Sequence, residues 1–488
     1  MHDDDLMPGN ISRKTFIASL GMIPAIKTQR SGGIREQEQS PFTSEKRGGK
    51  IRLGLIGFGF RGEQLARAAN FAHPGWLRSL EKSKEKGAQT ILSEYQGQQD
   101  LNIEIRGVCD IYDRRIQRGL EAAGPGARPY EDYRALLDDR EIDAVVIATP
   151  DHWHARMAIE AARSGKHIYL EKCMTHSPEE AIQVRNAVKE KGIVFQLGHQ
   201  GRQHDLNRKA GELIARGTLG KITLIETTTN RNNPDGAWVY PIPDDLNEHS
   251  IRWDLFQEPV QRKCTFSPAR FFRWRYFWDY GTGLAGDLLT HEYDAVNAIL
   301  ELGIPYSASA SGGIYYYRDG REVPDVFHVN FEYPDQSLTL TYSATLANGA
   351  SRGTLFMGTD ASLELGRSLS VWVDNESGKY RSRIEAGIID PSAPLTRYDQ
   401  GRKGVDAISS PTSKYFADRG LMYTYRAGRL ANPTNLHLAE WLNCIRTGGQ
   451  PSCHIDQGFQ EAITAHMATL SYKEGRRVRW DPESEKII

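Results

Sequence analysis

Cysteine is scarce in this chain: Cys109, Cys173, Cys264, Cys444 and Cys453 are its five, scattered, with no C-x-x-C pair among them. That excludes a disulfide scaffold or a zinc ribbon as the basis of the fold. Charge imbalance is missing too. The formal net charge is −1, so composition points neither to nucleic acid nor to a strongly anionic membrane surface as partner. There is no internal repeat. The apolar run nearest the start, from Phe16 to about Ile26, is far too short to span a bilayer as a helix.

Length, by contrast, is ample: 488 residues leave room for two or three domains and a large core. Residues 1–49 differ in kind from the rest. Ser12-Arg13-Lys14-Thr15-Phe16-Ile17 resembles a twin-arginine export signal in which Lys14 replaces the second arginine. Such a signal implies export of an already folded protein, for instance to the periplasm. The acidic Asp3-Asp4-Asp5 and the lack of an A-x-A cleavage site leave a disordered tail on a cytoplasmic protein as the alternative. Residues 27–49, polar and glycine-bearing, read as a linker.

What stands out next is Lys50 to Gly62. Ile51, Leu53, Leu55 and Ile56 form a short apolar run that predicts a strand buried on both faces of a parallel sheet. Gly57-Phe58-Gly59-Phe60-Arg61-Gly62 follows as G-x-G-x-x-G and leads into a helical pattern. The three glycines suit a tight turn, the approach of a pyrophosphate and close helix–strand packing, with helix N–H groups facing the phosphates. Alone the motif is weak; between strand and helix it points to a dinucleotide.

A polar stretch, 70–102, reads as an insertion with one helix near Leu77 to Lys86. It precedes a strand from Ile103 to Cys109 with Asp110 at its tip. An acidic residue there bonds the ribose hydroxyls and repels the extra phosphate of NADP, so Asp110 favours NAD. Arg114 and Arg115 keep NADP open, and a helix-capping Asp110 is the plainer alternative. The βα rhythm continues with a helix over Tyr130 to Leu137, a strand over Ala144 to Thr149, a helix over His154 to Ser164 and a strand over Ile168 to Glu171. Ser177-Pro178-Glu179-Glu180 predicts a capped helix running to Lys191, before a strand over Val194 to Gly198. This alternation means a doubly wound parallel sheet over 50–198.

Past Gly198 the texture changes. Strands at hairpin-like spacing are expected over Ile222 to Thr228, Ser307 to Tyr317, Asp325 to Phe331, Ser337 to Ser343, Gly353 to Met357 and Ser370 to Val373, with a hairpin turn at Arg318-Asp319-Gly320. Helices are expected over Asn207 to Arg216, Glu292 to Leu302, His437 to Arg446 and Gln457 to Tyr472. The second domain, 199–488, is then α+β on a largely antiparallel open sheet, with a loop-rich stretch at 390–433.

Chemistry concentrates at three further places: Thr149-Pro150-Asp151-His152-Trp153-His154 and Glu171-Lys172-Cys173, both after buried strands and so beside one crevice, and Asp287 with His291, four apart on a predicted helix. In this order the motifs resemble the Gfo/Idh/MocA family of glucose-fructose oxidoreductase, inositol dehydrogenase and rhizopine-catabolism proteins, over about Lys50 to Trp480. The matching elements are G-x-G-x-x-G, T-P-x-x-x-H at Thr149 to His154, an E-K-P-like Glu171-Lys172 and D-x-x-x-H at Asp287 and His291. Cys173 stands where the family has proline.

The resemblance implies a carbohydrate CH–OH dehydrogenase with Lys172, Asp287 and His291 as catalytic residues. The chemistry agrees: a histidine accepts the hydroxyl proton, an aspartate orients it, and a lysine stabilises charge on the reacting oxygen. Thr149, Pro150, His154, Glu171 and Lys172 join the glycine turn and Asp110 as cofactor-binding candidates. No third ligand accompanies Asp287 and His291, so no metal is expected. Cys173 reads as a packing residue.

His199, Arg202, Arg273, Trp274, Arg275 and Trp278 are candidate contacts to a polyhydroxylated ring, since aromatic faces and guanidinium groups suit it; a buried core explains them equally well. The leading expectation is an NAD-dependent oxidoreductase acting on a sugar, glycoside or cyclitol, as a homo-oligomer. Competing with it are an NAD-dependent glycosidase using transient oxidation and a noncatalytic protein that kept the fold.

Overall fold

The computed structural model describes residues 49–232, 237–244, 246–399, 408–409 and 431–488. The expected leader lies outside these residues. The first sheet contains β1 (Ile51–Ile56), β2 (Ile103–Cys109), β3 (Arg128–Tyr130), β4 (Ala144–Ile147), β5 (His167–Leu170) and β6 (Phe195–Leu197). All six are parallel, in the order β3-β2-β1-β4-β5-β6. This is the doubly wound arrangement anticipated above. Its strand order reverses between β1 and β4, which opens a crevice at their carboxyl ends.

Local signals explain the helices. Ser177 caps helix Pro178–Lys191 in a full capping box with Glu180, and Gly192 closes it in the left-handed conformation. Two expectations need correction. The stretch Tyr130 to Leu137 is not wholly helical: β3 ends at Tyr130, and the helix Tyr133–Asp138 begins only where the Asp132 carboxylate accepts the Arg134 N–H at 2.8 Å. The 70–102 insertion holds two helices, Pro74–Lys82 and Lys86–Gln96, because Ser83 adopts an extended backbone and breaks the pattern between them.

Among the described residues the second sheet has eleven strands: β7 (Ile222–Asn230), β8 (Ser307–Gly313), β9 (Val326–Tyr333), β10 (Leu338–Thr345), β11 (Thr354–Gly358), β12 (Ala361–Leu365), β13 (Leu369–Val373), β14 (Thr396–Tyr398), β15 (Ile408–Ser409), β16 (Val478–Asp481) and β17 (Lys486–Ile487). Neighbours are antiparallel except β7 and β10. The Arg318-Asp319-Gly320 turn is not a tight hairpin. Residues 314–325 separate β8 from β9, and the connection is organised by the Asp325 carboxylate, which accepts the backbone N–H groups of Tyr315, Tyr316 and Tyr317 at 2.7–2.9 Å. Of the 390–433 stretch, β14 and β15 are described, while 400–407 and 410–430 are not.

Two segments from beyond residue 199 complete the first domain. Helix Pro433–Thr447 lays Leu438, Trp441 and Leu442 into the core formed by Leu53, Leu55, Leu65, Val146 and Tyr169. Its His437 Nε2 lies 2.9 Å from the Leu197 carbonyl, and Gln196 Nε2 donates back to the His437 carbonyl at 2.7 Å. A second segment gathers Ile251, Trp253, Phe256, Phe271 and Tyr280 around Tyr112, just past β2. There Arg252 bonds the Asp113 carboxylate at 2.8 Å and the Asp110 carbonyl at 2.9 Å.

Candidate active site

The glycine turn sits where β1 hands over to helix Phe60–Ala68. Gly57 has φ +88°, and a Cβ there would lie 2.6 Å from the Ala148 carbonyl oxygen; at Gly62 a Cβ would lie 2.1 Å from the Gly57 carbonyl oxygen. Both positions therefore demand glycine. Asp110 braces the turn: its Oδ2 accepts the Phe58 N–H at 2.8 Å and its Oδ1 the Tyr112 N–H at 3.0 Å. A cavity of about 370 Å³ opens here, lined by Gly57, Phe58, Gly59, Phe60, Arg61, Asp110, Thr149 and Pro150 of the expected cofactor residues. Its far wall comes from Arg115, Phe271, Phe272, Trp274 and Arg275. The Arg115 guanidinium lies over the Phe271 and Phe272 rings, 4.9 and 5.4 Å from their centroids.

The cavity wall containing Arg275 leads to the charged cluster. Lys172, just past β5, donates to Asp287 Oδ1 at 2.7 Å and to the Asp287 carbonyl at 2.9 Å. Arg275 Nε donates to the same Oδ1 at 2.9 Å. Asp287 occupies a π-helical turn, Ala285–Leu289, that runs into the α-helix Thr290–Leu300 containing His291. The pair thus straddles a change of winding rather than one regular helix face, the kind of local widening that recurs at functional sites. Thr282, one turn earlier, is tied to the start of helix Asp151–Arg163: its N–H and Oγ1 both donate to Asp151 Oδ2, at 3.2 and 2.7 Å.

Burial alone would raise the Asp287 carboxyl, but Lys172 and Arg275 override it and hold the group far below the usual carboxylate range. His291 moves the other way. Burial, then the Lys172 charge, then His199 push its imidazole well below its ordinary value, with Asp287 opposing. Near neutral pH the cluster therefore presents an ionised Asp287 beside a neutral His291.

Several expected contacts have other duties. Gly62 serves helix–strand packing, and His154, Glu171 and Lys172 do not line the cavity. His154 is fully buried, with Nδ1 2.5 Å from the Cys173 carbonyl and Nε2 2.8 Å from that of Thr149, so it staples two loops together. Glu171 is paired with Arg61 at 2.8 Å, and Arg61 reaches on to Gln200 Oε1 at 3.0 Å. The Lys172–Cys173 peptide is cis. Cys173 is wholly buried, and burial raises its thiol well above the usual range.

Of the proposed ring contacts, Trp274 and Arg275 line the cavity, while His199, Arg202, Arg273 and Trp278 do not. His199 is 1% exposed. The Arg202 guanidinium is spent on Asp294, Ser452 and Gln457. Trp278 donates its indole N–H to the Glu322 carbonyl at 3.1 Å and stacks under Lys473. Arg202 and Trp278 thus spend their polar groups on the protein itself, which their positions in the sequence do not reveal. Glu461 is a buried acid that the sequence does not single out: in helix Ile455–Glu474 it shares a face with the buried Gly458 and Ala465, three and four residues away, and an acid on that small-residue face is the available signal.

Comparison with known proteins agrees with this architecture. Residues 51–199 match the family model described as "Oxidoreductase family, NAD-binding Rossmann fold", and residues 247–479 the one described as "Oxidoreductase family, C-terminal alpha/beta domain". A levoglucosan dehydrogenase of Pseudarthrobacter phenanthrenivorans is 31% identical over 192 residues, 37% of this chain and 42% of that protein. The scyllo-inositol 2-dehydrogenase (NADP(+)) IolW of Bacillus subtilis is 24% identical over 300 residues, 61% of this chain and 64% of that protein. In both cases the match spans less than two thirds of the relative. Among solved structures, a levoglucosan dehydrogenase in complex with NADH superposes with a TM-score of 0.58 at 18% identity, covering 88% of this chain and 99% of that one, a likeness of fold.

Proposed function

Since the chain belongs to the Gfo/Idh/MocA oxidoreductase family, we propose that it transfers a hydride between a CH–OH group of a sugar, glycoside or cyclitol and NAD. The observation that carries this reading is the junction of two parts. The glycine-floored cavity is walled at one side by Arg275, and Arg275 shares the Asp287 carboxylate with Lys172. The cofactor fits what is present: a cavity-lining Gly57 where no Cβ could stand, and a carboxylate at the tip of β2. Gly57 to Phe60, Asp110, Thr149 and Pro150 would hold it, and when bound it supplies the hydride acceptor.

The chain's own residues supply the proton chemistry. His291 is neutral and partly exposed, so it can accept the hydroxyl proton of the substrate. An ammonium has three N–H donors. Lys172 commits two of them to Asp287, which leaves one to donate to the reacting oxygen, where negative charge would develop. Asp287 fixes Lys172 in place and, kept ionised by two cations, does not compete for the proton.

The test begins with the purified protein. Denature it, identify any released nucleotide, then incubate native protein with sugars, glycosides and cyclitols while following NADH and product. Net NADH formation, abolished in His291→Ala with NAD binding kept, is expected. Cleavage of a glycoside without net NADH would assign the same residues to the redox-neutral glycosidase reading, and failure to bind any nicotinamide nucleotide would defeat both.

A further inference from the structure

Behind His291 lies a set of charged groups that hydride transfer leaves unused. The His199 ring, at the end of β6, meets the His291 ring edge to face with 5.3 Å between centroids. Helix Ile455–Glu474 brings Glu461 to the other side, its Oε2 3.5 Å from His199 Nε2, and both side chains are 1% exposed. Neither oxygen of Glu461 has a hydrogen bond among the described residues. A buried carboxylate without hydrogen bonds is costly unless a cation lies opposite it. His199 is the cation placed to serve, because Asp294, the other buried acid here, is already matched by Arg202 at 2.7 Å.

We propose that His199, facing Glu461 at 3.5 Å and set edge-on to His291, is a positioning residue whose imidazolium keeps His291 in its proton-accepting form. The role of His291 rests on the function proposed above; the charge state of the histidine pair does not. Facing His291 are Lys172 from the end of β5, Arg61 from the helix after the glycine turn, His199 from the end of β6 and Asp287 from the π turn. Facing His199 are Asp294 and Glu461, which favour its charged form, and Arg202, which opposes it. Burial disfavours that charge, yet the two carboxylates prevail and His199 is raised. Two rings in edge contact do not both hold protons readily, so the proton settled on His199 by Glu461 is denied to His291.

The sign follows. Removing the His199 charge raises His291 and moves the acid limb of kcat/KM to higher pH. Weakening Glu461 discharges His199 and moves it the same way. The measurement uses full-length protein labelled with ¹⁵N-histidine, titrated by NMR, with His291→Asn for assignment. Wild type should show His199 charged and His291 neutral at pH 7. In His199→Gln and in Glu461→Gln, His291 should titrate about 1 pH unit higher, tenfold in proton affinity, with the acid limb shifting in step. Glu461→Asp should restore most of the difference.

A neutral His199 in wild type, or folded variants in which His291 stays put or moves down, would overturn the proposal. The wild-type spectrum decides even if a variant does not fold. It needs no substrate either, so a protein inactive on every carbohydrate would defeat the functional reading while leaving this one standing.

Discussion

Replacing Asp287 with Asn removes one charge and almost no volume, which isolates the electrostatics of the cluster. In the native protein that carboxylate is bonded by Lys172 at 2.7 Å and Arg275 at 2.9 Å. At an effective dielectric of ~20 the bare attraction is about 6 kcal/mol per pair, an upper bound that desolvation offsets. Breaking a buried pair from one side costs about 3–5 kcal/mol, because the partner is left charged and uncompensated. Two cations lose their shared counter-ion here, so we expect a loss of about 4 kcal/mol, or about 4 °C in the unfolding midpoint of a chain this long.

The pH dependence is a sharper test of the same prediction. The folded-state value of Asp287 is depressed, so its contribution is fully present above the unfolded carboxylate value near ~4 and is lost as pH falls through the lower folded value. Thermal scans of wild type and Asp287→Asn should therefore differ by a constant amount between about pH 5 and 8, with the gap closing below about pH 4. Adding Lys172→Met should cost less than the sum of the two single changes, since it removes one of the stranded cations. A gap under about 1 kcal/mol, or strict additivity, would refute the cluster as described.

Gly62→Ala should abolish NAD binding in a calorimetric titration, because its methyl would stand 2.1 Å from the Gly57 oxygen and force the turn open; retained affinity would count against the cradle. The pH profile of turnover should stay level from pH 8 down to about 6.5 and fall only below the ordinary imidazole value, since His291 is held neutral by burial, Lys172 and His199. An acid limb centred at or above that value would contradict the assignment. Trp441→Ala should destabilise the protein by about 3–5 kcal/mol and weaken NAD binding along with it, because Trp441 is fully buried against the first sheet; chemical denaturation with parallel nucleotide titrations reads both.

The first domain was legible because each of its signals is local. Apolar runs such as Ala144 to Ile147, the Ser177 cap and the glycine turn lie within a few residues of the structure they specify. The second domain was read more coarsely. β12 is only Ala361–Leu365, and the β8–β9 connection is ordered by Asp325, whose carboxylate reaches three amides several residues away. Order along the chain singled out Lys172, Asp287 and His291, which the structure brings together, but not the π turn, which changes winding without altering the sequence spacing.

His199 and Arg202 looked like ligand contacts because sequence exposes residue type and hides burial. Only the folded chain reveals that Asp294 and Glu461, from two distant helices, occupy them.

Helix Pro433–Thr447 carries a consequence for synthesis. The sheet that cradles the nucleotide ends at Leu197, yet the side chains that seal it, Leu438, Trp441 and Leu442, are translated some 240 residues later. At ordinary elongation rates that is a wait on the order of 10–50 s. Through that interval the nascent first domain exposes the apolar face that Trp441 will cover, and it must be shielded or remain unfinished. A truncated chain stopping after β6 would meet the same fate permanently, so in this protein the cofactor cradle matures last although it is made first.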